Sequence, residues 1–146
     1  MTNDHAYELD VRTVDDRVVE VNILDVDPFK VTSAKDWWPD APDGMLSPQT
    51  LLVSASATCV ILSLYKAAEK LRTEFDRVHV SARGEMKERD DGYWHFGRIK
   101  LNLKVWIPTE EERSKVEKGV RLAHESCPVA NTLKCPTELN FEIKLS

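Results

Sequence analysis

The chain is poor in cysteine, with three in 146 residues. An odd count without a secretory leader argues against a structural disulfide framework and leaves thiol chemistry or inert burial. Met1-Thr2-Asn3-Asp4-His5 has neither a basic start nor an apolar run, so no signal peptide is expected and the protein should be cytoplasmic. There is no Cys-x-x-Cys or His-x-x-x-His pair, the usual spacing of a metal centre, so no metal is expected. Lysine and arginine do not cluster, and the net charge is -5, which speaks against nucleic acid as a partner. No repeat, low-complexity tract or flexible linker divides the chain, so residues 1–146 are expected to form a single domain. The longest uncharged stretch, Leu46 to Tyr65, is interrupted by seven serines, threonines and glutamines. A membrane span wants about 20 predominantly apolar residues, so this stretch reads as a buried helix and no membrane is expected as a partner.

What is present has the texture of a soluble α+β domain. Hydrophobic residues make up 42% and charged residues 31%, ordinary for a globular protein. Tyr7, Leu9 and Val11 alternate with polar residues, and Val19, Val21 and Ile23 do so after an Asp15-Asp16 turn, which predicts a hairpin. A third short strand is expected around Phe29 to Thr32, followed by a proline-rich loop from Trp37 to Gly44.

Ser47 before Pro48 is a helix start, a capping hydroxyl followed by proline at the first helical position. The helix should run to about Leu71, and its first half is apolar or small on every face, which predicts burial all round. One small chain cannot easily cover such a helix, so a second copy is expected against Ser54, Ala55, Ser56, Ala57 and Thr58. Val78, Val80, Ala82 and Met86 suggest a strand, Asp91-Gly92 a tight turn, and Ile99, Leu101, Leu103, Val105 and Ile107 the return strand. Thr109-Glu110-Glu111-Glu112 reads as a capping box opening a second helix with Val116, Val120 and Ala123 on one face. Leu139, Phe141, Ile143 and Leu145 close the chain as a half-buried strand. The order gives an α+β domain with mostly antiparallel sheet.

The chemistry rests on the thiols. Cys59 lies inside the long helix, where a free cysteine serves either as a small core hydrophobe or as a reactive group. Cys127, ahead of Pro128, can cap a further helical turn whose free N–H groups favour thiolate, or simply form a turn. Cys135, ahead of Pro136 at the entry to the last strand, reads as structural. His124 and Cys127 could contribute to a metal site, and His79, His95 or His124 could serve a cysteine hydrolase, but no local motif selects either chemistry.

Two segments carry a resemblance. Ser47-Pro48-Gln49-Thr50-Leu51-Leu52 and the small residues leading to Cys59 resemble the central helix of the OsmC/Ohr family, osmotically inducible and organic hydroperoxide resistance proteins. Ser126-Cys127-Pro128-Val129-Ala130-Asn131-Thr132-Leu133 is similar to that family's second-cysteine motif. The resemblance covers nearly the whole chain. It implies antiparallel sheets wrapped around a long buried central helix in an intertwined homodimer. It implies a peroxidase without a bound cofactor, active on organic hydroperoxides in an oxidative stress response. Cys59 would be the peroxidatic thiol, Cys127 would resolve its sulfenic acid as a disulfide, and an external dithiol of lipoyl type would reduce the pair.

The family also implies an arginine near the reactive cysteine, held by a glutamate ten residues before it. Gln49 stands at that position here, an acceptor without charge, which suits the broader OsmC-like branch. Arg17, beside the first hairpin turn, is the preferred arginine, with Arg12 the alternative. Trp37 and Trp38 would plug a core or wall the substrate pocket on its apolar side. The alternative function is a non-catalytic, stress-associated OsmC-like dimer that binds an apolar small molecule.

Overall fold

The computed structural model describes residues 5–146; Met1 to Asp4, on which the expectation of no leader rests, lie outside the described residues. The described chain forms two compact units, one up to Leu51 and one from Leu52 to Ser146. Both are built from a three-stranded sheet.

In the first unit, β1 (Asp10–Asp15), β2 (Val18–Asn22) and β3 (Phe29–Thr32) form an antiparallel meander. The hairpin begins later than the alternation predicts. Tyr7 and Leu9 lie outside β1 and are exposed, because β2 ends at Asn22, opposite Asp10, and leaves them no partner. The chain reverses through Asp16 and Arg17 rather than Asp15-Asp16, since Asp15 still pairs with Val18. Beyond β3, the Thr32 N–H donates to the Leu46 carbonyl, which brings the chain to the helix start.

Helix α1 (Pro48–Leu71) opens as the sequence predicts. The Ser47 hydroxyl accepts the Thr50 N–H at 3.2 Å, satisfying one of the first turn's orphan donors. Burial all round is not observed. Ser56, Val60, Leu64, Ala67 and Ala68 are buried, whereas Ser54, Thr58, Leu62 and Tyr65 are exposed. One chain supplies cover for one face of the helix and none for the other. By length and composition alone α1 could cross a membrane.

The second unit holds β4 (Arg77–Glu88), β5 (Trp94–Ile107), α2 (Arg113–Ser126), α3 (Pro128–Thr132) and β6 (Thr137–Leu145). β4 and β5 pair antiparallel, joined by the loop Arg89–Tyr93, where Gly92 takes φ +85°. β5 is the central strand, and its inward residues Ile99, Leu101, Leu103, Val105 and Ile107 are all buried. They form the core with Val60 and Leu64 of α1 and Val116, Val120 and Ala123 of α2.

Two expectations need correction here. The strand pairings are mostly antiparallel, as expected, but the second sheet is mixed rather than antiparallel throughout, because β6 pairs parallel to β5. A parallel neighbour requires a crossover, and α2 with α3 supplies it. The second helix does not open on a capping box: Glu110–Glu112 form a short 3-10 turn and Thr109 makes no side-chain cap. Glu112 accepts instead from the Thr73 hydroxyl and the Glu74 N–H, tying the end of α1 to the start of α2.

Candidate functional site

Cys59 faces out of α1 on a stripe with Ala55, Leu62, Ser63, Lys66, Ala67 and Lys70, the spacing of one helical face. That stripe forms one wall of a groove of about 700 Å³. Leu122 and Ser126 of α2, with Pro128 and Val129 of α3, form the other wall. The Cys59 sulfur lies 3.9 Å from the Ser63 hydroxyl, one turn further along the helix.

Cys127 sits at the elbow between α2 and α3, flanked by the groove residues Ser126 and Pro128. It ends α2 and caps α3, with an extended backbone (φ -63°, ψ 112°) of the kind a following proline imposes. The Asn131 N–H donates to the Cys127 carbonyl at 3.0 Å, and the Asn131 side chain donates to the Glu125 carbonyl at 3.1 Å. These bonds pin the elbow, so the Cys-Pro-Val-Ala-Asn sequence fixes where the sulfur points. The residue is 1% exposed, and Cys59 is among the neighbours that act on its thiol. Residues 68 positions apart thus become neighbours, and both thiols are free.

The electrostatics correct one expectation. Burial, and then the Cys59 contact, push the Cys127 thiol above its ordinary value. The Ala130 and Val129 N–H groups pull the other way without prevailing. They lie near the sulfur but do not close a cap hydrogen bond on it, so the five-residue α3 does not deliver the thiolate that a capping position suggests.

The remaining candidates are accounted for within their own units. Arg17 sits in the hairpin turn at φ 55°, with its guanidinium 4.7 Å from the centre of the Trp38 ring. Arg12 pairs with Glu20 at 2.9 Å on the exposed face of the sheet. Gln49 lies in the first turn of α1, and its Oε1 is buried without a hydrogen-bond partner among the described residues. Trp37 is 44% exposed. His124 gives its Nε2–H to the Thr137 carbonyl at 2.8 Å, which fixes its tautomer and occupies that nitrogen. Cys135 is half-buried against the edge of the core. Sequence reasoning missed Ser63, Lys66 and Lys70. The signal was available in their positions, four, seven and eleven residues beyond Cys59 on one helical face.

The α+β frame with two sheets is shared with known proteins. The model of the OsmC-like protein family matches residues 41–142, and the chain belongs to that family. Its structure is similar to an OsmC-like protein of unknown function from Vibrio cholerae, with TM-score 0.85 and 17% identity over 95% of this chain and all of that one. It is also similar to an organic hydroperoxide resistance protein from Elizabethkingia anophelis, with TM-score 0.70 and 20% identity over 97% and 98% of the two chains. A third similarity is to an organic hydroperoxide resistance protein of Bacillus subtilis, with TM-score 0.68 and 19% identity over 95% and 98%. Among curated proteins none matches the sequence.

Proposed function

We infer that this protein is a cytoplasmic thiol peroxidase that reduces organic hydroperoxides, with Cys59 as the attacking thiol and Cys127 as its resolving partner. The observation that carries this reading is the nearness of two free thiols, one open to a groove and the other enclosed. The Cys59 thiolate attacks the terminal oxygen of the hydroperoxide. The O–O bond breaks, the alkoxide leaves and takes a proton to become an alcohol, and Cys59 becomes a sulfenic acid. The Cys127 sulfur then attacks the Cys59 sulfur, water departs, and a disulfide remains. An external dithiol, of lipoyl type, restores both thiols by exchange and is itself oxidised; no bound cofactor takes part.

The raised Cys127 value supports this division of roles. A thiol held neutral is a poor nucleophile towards peroxide, so oxidation falls first on Cys59. In the same reading Arg17, or Arg12, stabilises the Cys59 thiolate, and Gln49 accepts from the guanidinium through its unpartnered Oε1. Trp37 and Trp38 then contribute an apolar wall for the substrate. The exposed side of α1, with Leu62 67% and Tyr65 54% exposed, is covered by a second copy in an intertwined homodimer.

Intact mass and free-thiol counting after addition of cumene hydroperoxide test the chemistry. Wild type should lose two thiols and the mass of two hydrogens. Cys127→Ser should gain one oxygen at Cys59, and Cys59→Ser should not react. A wild type that keeps all three thiols under excess hydroperoxide would overturn the peroxidase reading in favour of a non-catalytic dimer that binds an apolar molecule.

A further inference from the structure

Three helical hydroxyls in this chain take the partner that helices usually offer them. Thr58, Ser126 and Thr132 donate to the carbonyl four residues earlier, to Ser54 at 2.8 Å, Leu122 at 2.7 Å and Pro128 at 2.8 Å. Ser63 does not. Among the described residues its hydroxyl has one hydrogen-bond partner, the Cys59 sulfur at 3.9 Å. The two side chains stand one turn apart on one face of α1, and both are half-buried. No other hydroxyl and no nitrogen donor hydrogen-bonds that sulfur among the described residues.

We propose that Ser63 is a positioning residue for Cys59: its hydroxyl donates to the sulfur, holds the side chain in one rotamer and favours the thiolate. The inference rests on the peroxidase reading only for what that thiolate goes on to attack. A hydrogen bond from a hydroxyl to a neutral thiol is weak. Once the sulfur carries charge, the same bond shortens and strengthens, so it stabilises the thiolate more than the thiol. Partial burial adds to the difference, because water competes less for either group. Ser63 gives up no proton and takes no part in the chemical step. The bond runs between two turns of one helix, so it persists whether or not a second copy covers that face.

The test follows alkylation of Cys59 by iodoacetamide from about pH 6 to about pH 10, read by peptide mass mapping, in wild type and Ser63→Ala. At pH 7 the variant should react about three- to tenfold more slowly, the scale of one partly exposed hydrogen bond. Its curve should move to higher pH, and its rate on the alkaline plateau should be kept. Lys66, Lys70 and Cys127 are the titratable groups beside the sulfur, and the substitution leaves all three in place. The groove residues of α2 and α3 carry no charge. Alanine suits a helix interior, so the melting temperature should stay near that of wild type. Thiol loss to cumene hydroperoxide at pH 7 should slow in the same proportion as alkylation.

Superimposed alkylation curves overturn the Ser63 assignment and leave the peroxidase standing. So does a variant slowed by one factor at every pH, because a displaced helix, rather than a lost donor, would produce that result. If the curve moves as expected but wild type keeps its thiols under excess hydroperoxide, the peroxidase reading fails and the Ser63 bond remains.

Discussion

At the scale of single residues, the site turns on how differently the structure treats two cysteines. Cys59 opens to a groove. Cys127 is 1% exposed, and burial and the Cys59 contact raise its pKa. A raised thiol pKa means less thiolate at any pH below it, so Cys127 should alkylate slowly until the pH passes its ordinary value of 9.0. Iodoacetamide at pH 7 should label Cys59 before Cys127, as peptide mass mapping will read. In Cys59→Ser, with one of the two causes removed, the pH at which Cys127 reacts should fall. Labelling of Cys127 ahead of Cys59 in the folded protein would contradict the burial argument.

At the scale of elements, the site depends on how closely α1 lies against the sheet. Gly84 of β4 marks a close approach. A Cβ there would stand 2.5 Å from Val53 Cγ2 of α1 and 2.6 Å from Phe96 Cε1 of β5. Real Cβ atoms do not sit at such distances, so Gly84→Ala forces the helix or the ring to shift and should cost about 1–3 kcal/mol. Because Cys59 follows Val53 on the same helix, the substitution should also slow formation of the Cys59–Cys127 disulfide. Chemical denaturation and the rate of thiol loss check the two effects. A variant as stable as wild type would show that the helix moves aside freely. The glycine marks a packing distance rather than a turn, since its backbone needs no positive φ.

At the scale of the whole molecule, carboxylates set the acid limit. Arg98 hydrogen-bonds Glu85 and holds its carboxyl at about 2, below the ordinary 4.5. Arg12, Arg113 and Lys35 lower Glu20, Glu110 and Asp43 in the same way. A carboxyl whose folded value is depressed contributes stability above its unfolded value and loses it as pH falls through the folded one. The melting temperature should therefore decline from about pH 4.5 towards pH 2. Glu85→Gln should lower the curve near neutrality and meet that of wild type towards pH 2, which flattens the acid limb. Parallel Tm-against-pH curves for the two proteins would show that the Glu85–Arg98 pair does not couple to folding.

Local chemistry carried much of this protein in the sequence. Ser47-Pro48 opens α1, and the alternation through Ile99 to Ile107 is buried as predicted, because caps and periodicity act within a few residues. The two motifs around Cys59 and Cys127 identified the family before any fold was seen, and the α+β class followed from the order of elements. Tertiary structure decided the rest. β6 alternates like any half-buried strand, so its parallel pairing to β5 is visible only once α2 and α3 carry the chain across. The capping box at Thr109 yielded to a longer-range partner when Glu112 met Thr73 and Glu74. The direction of the Cys127 shift needed the burial that packing alone creates, because desolvation outweighs the N–H groups of a five-residue helix.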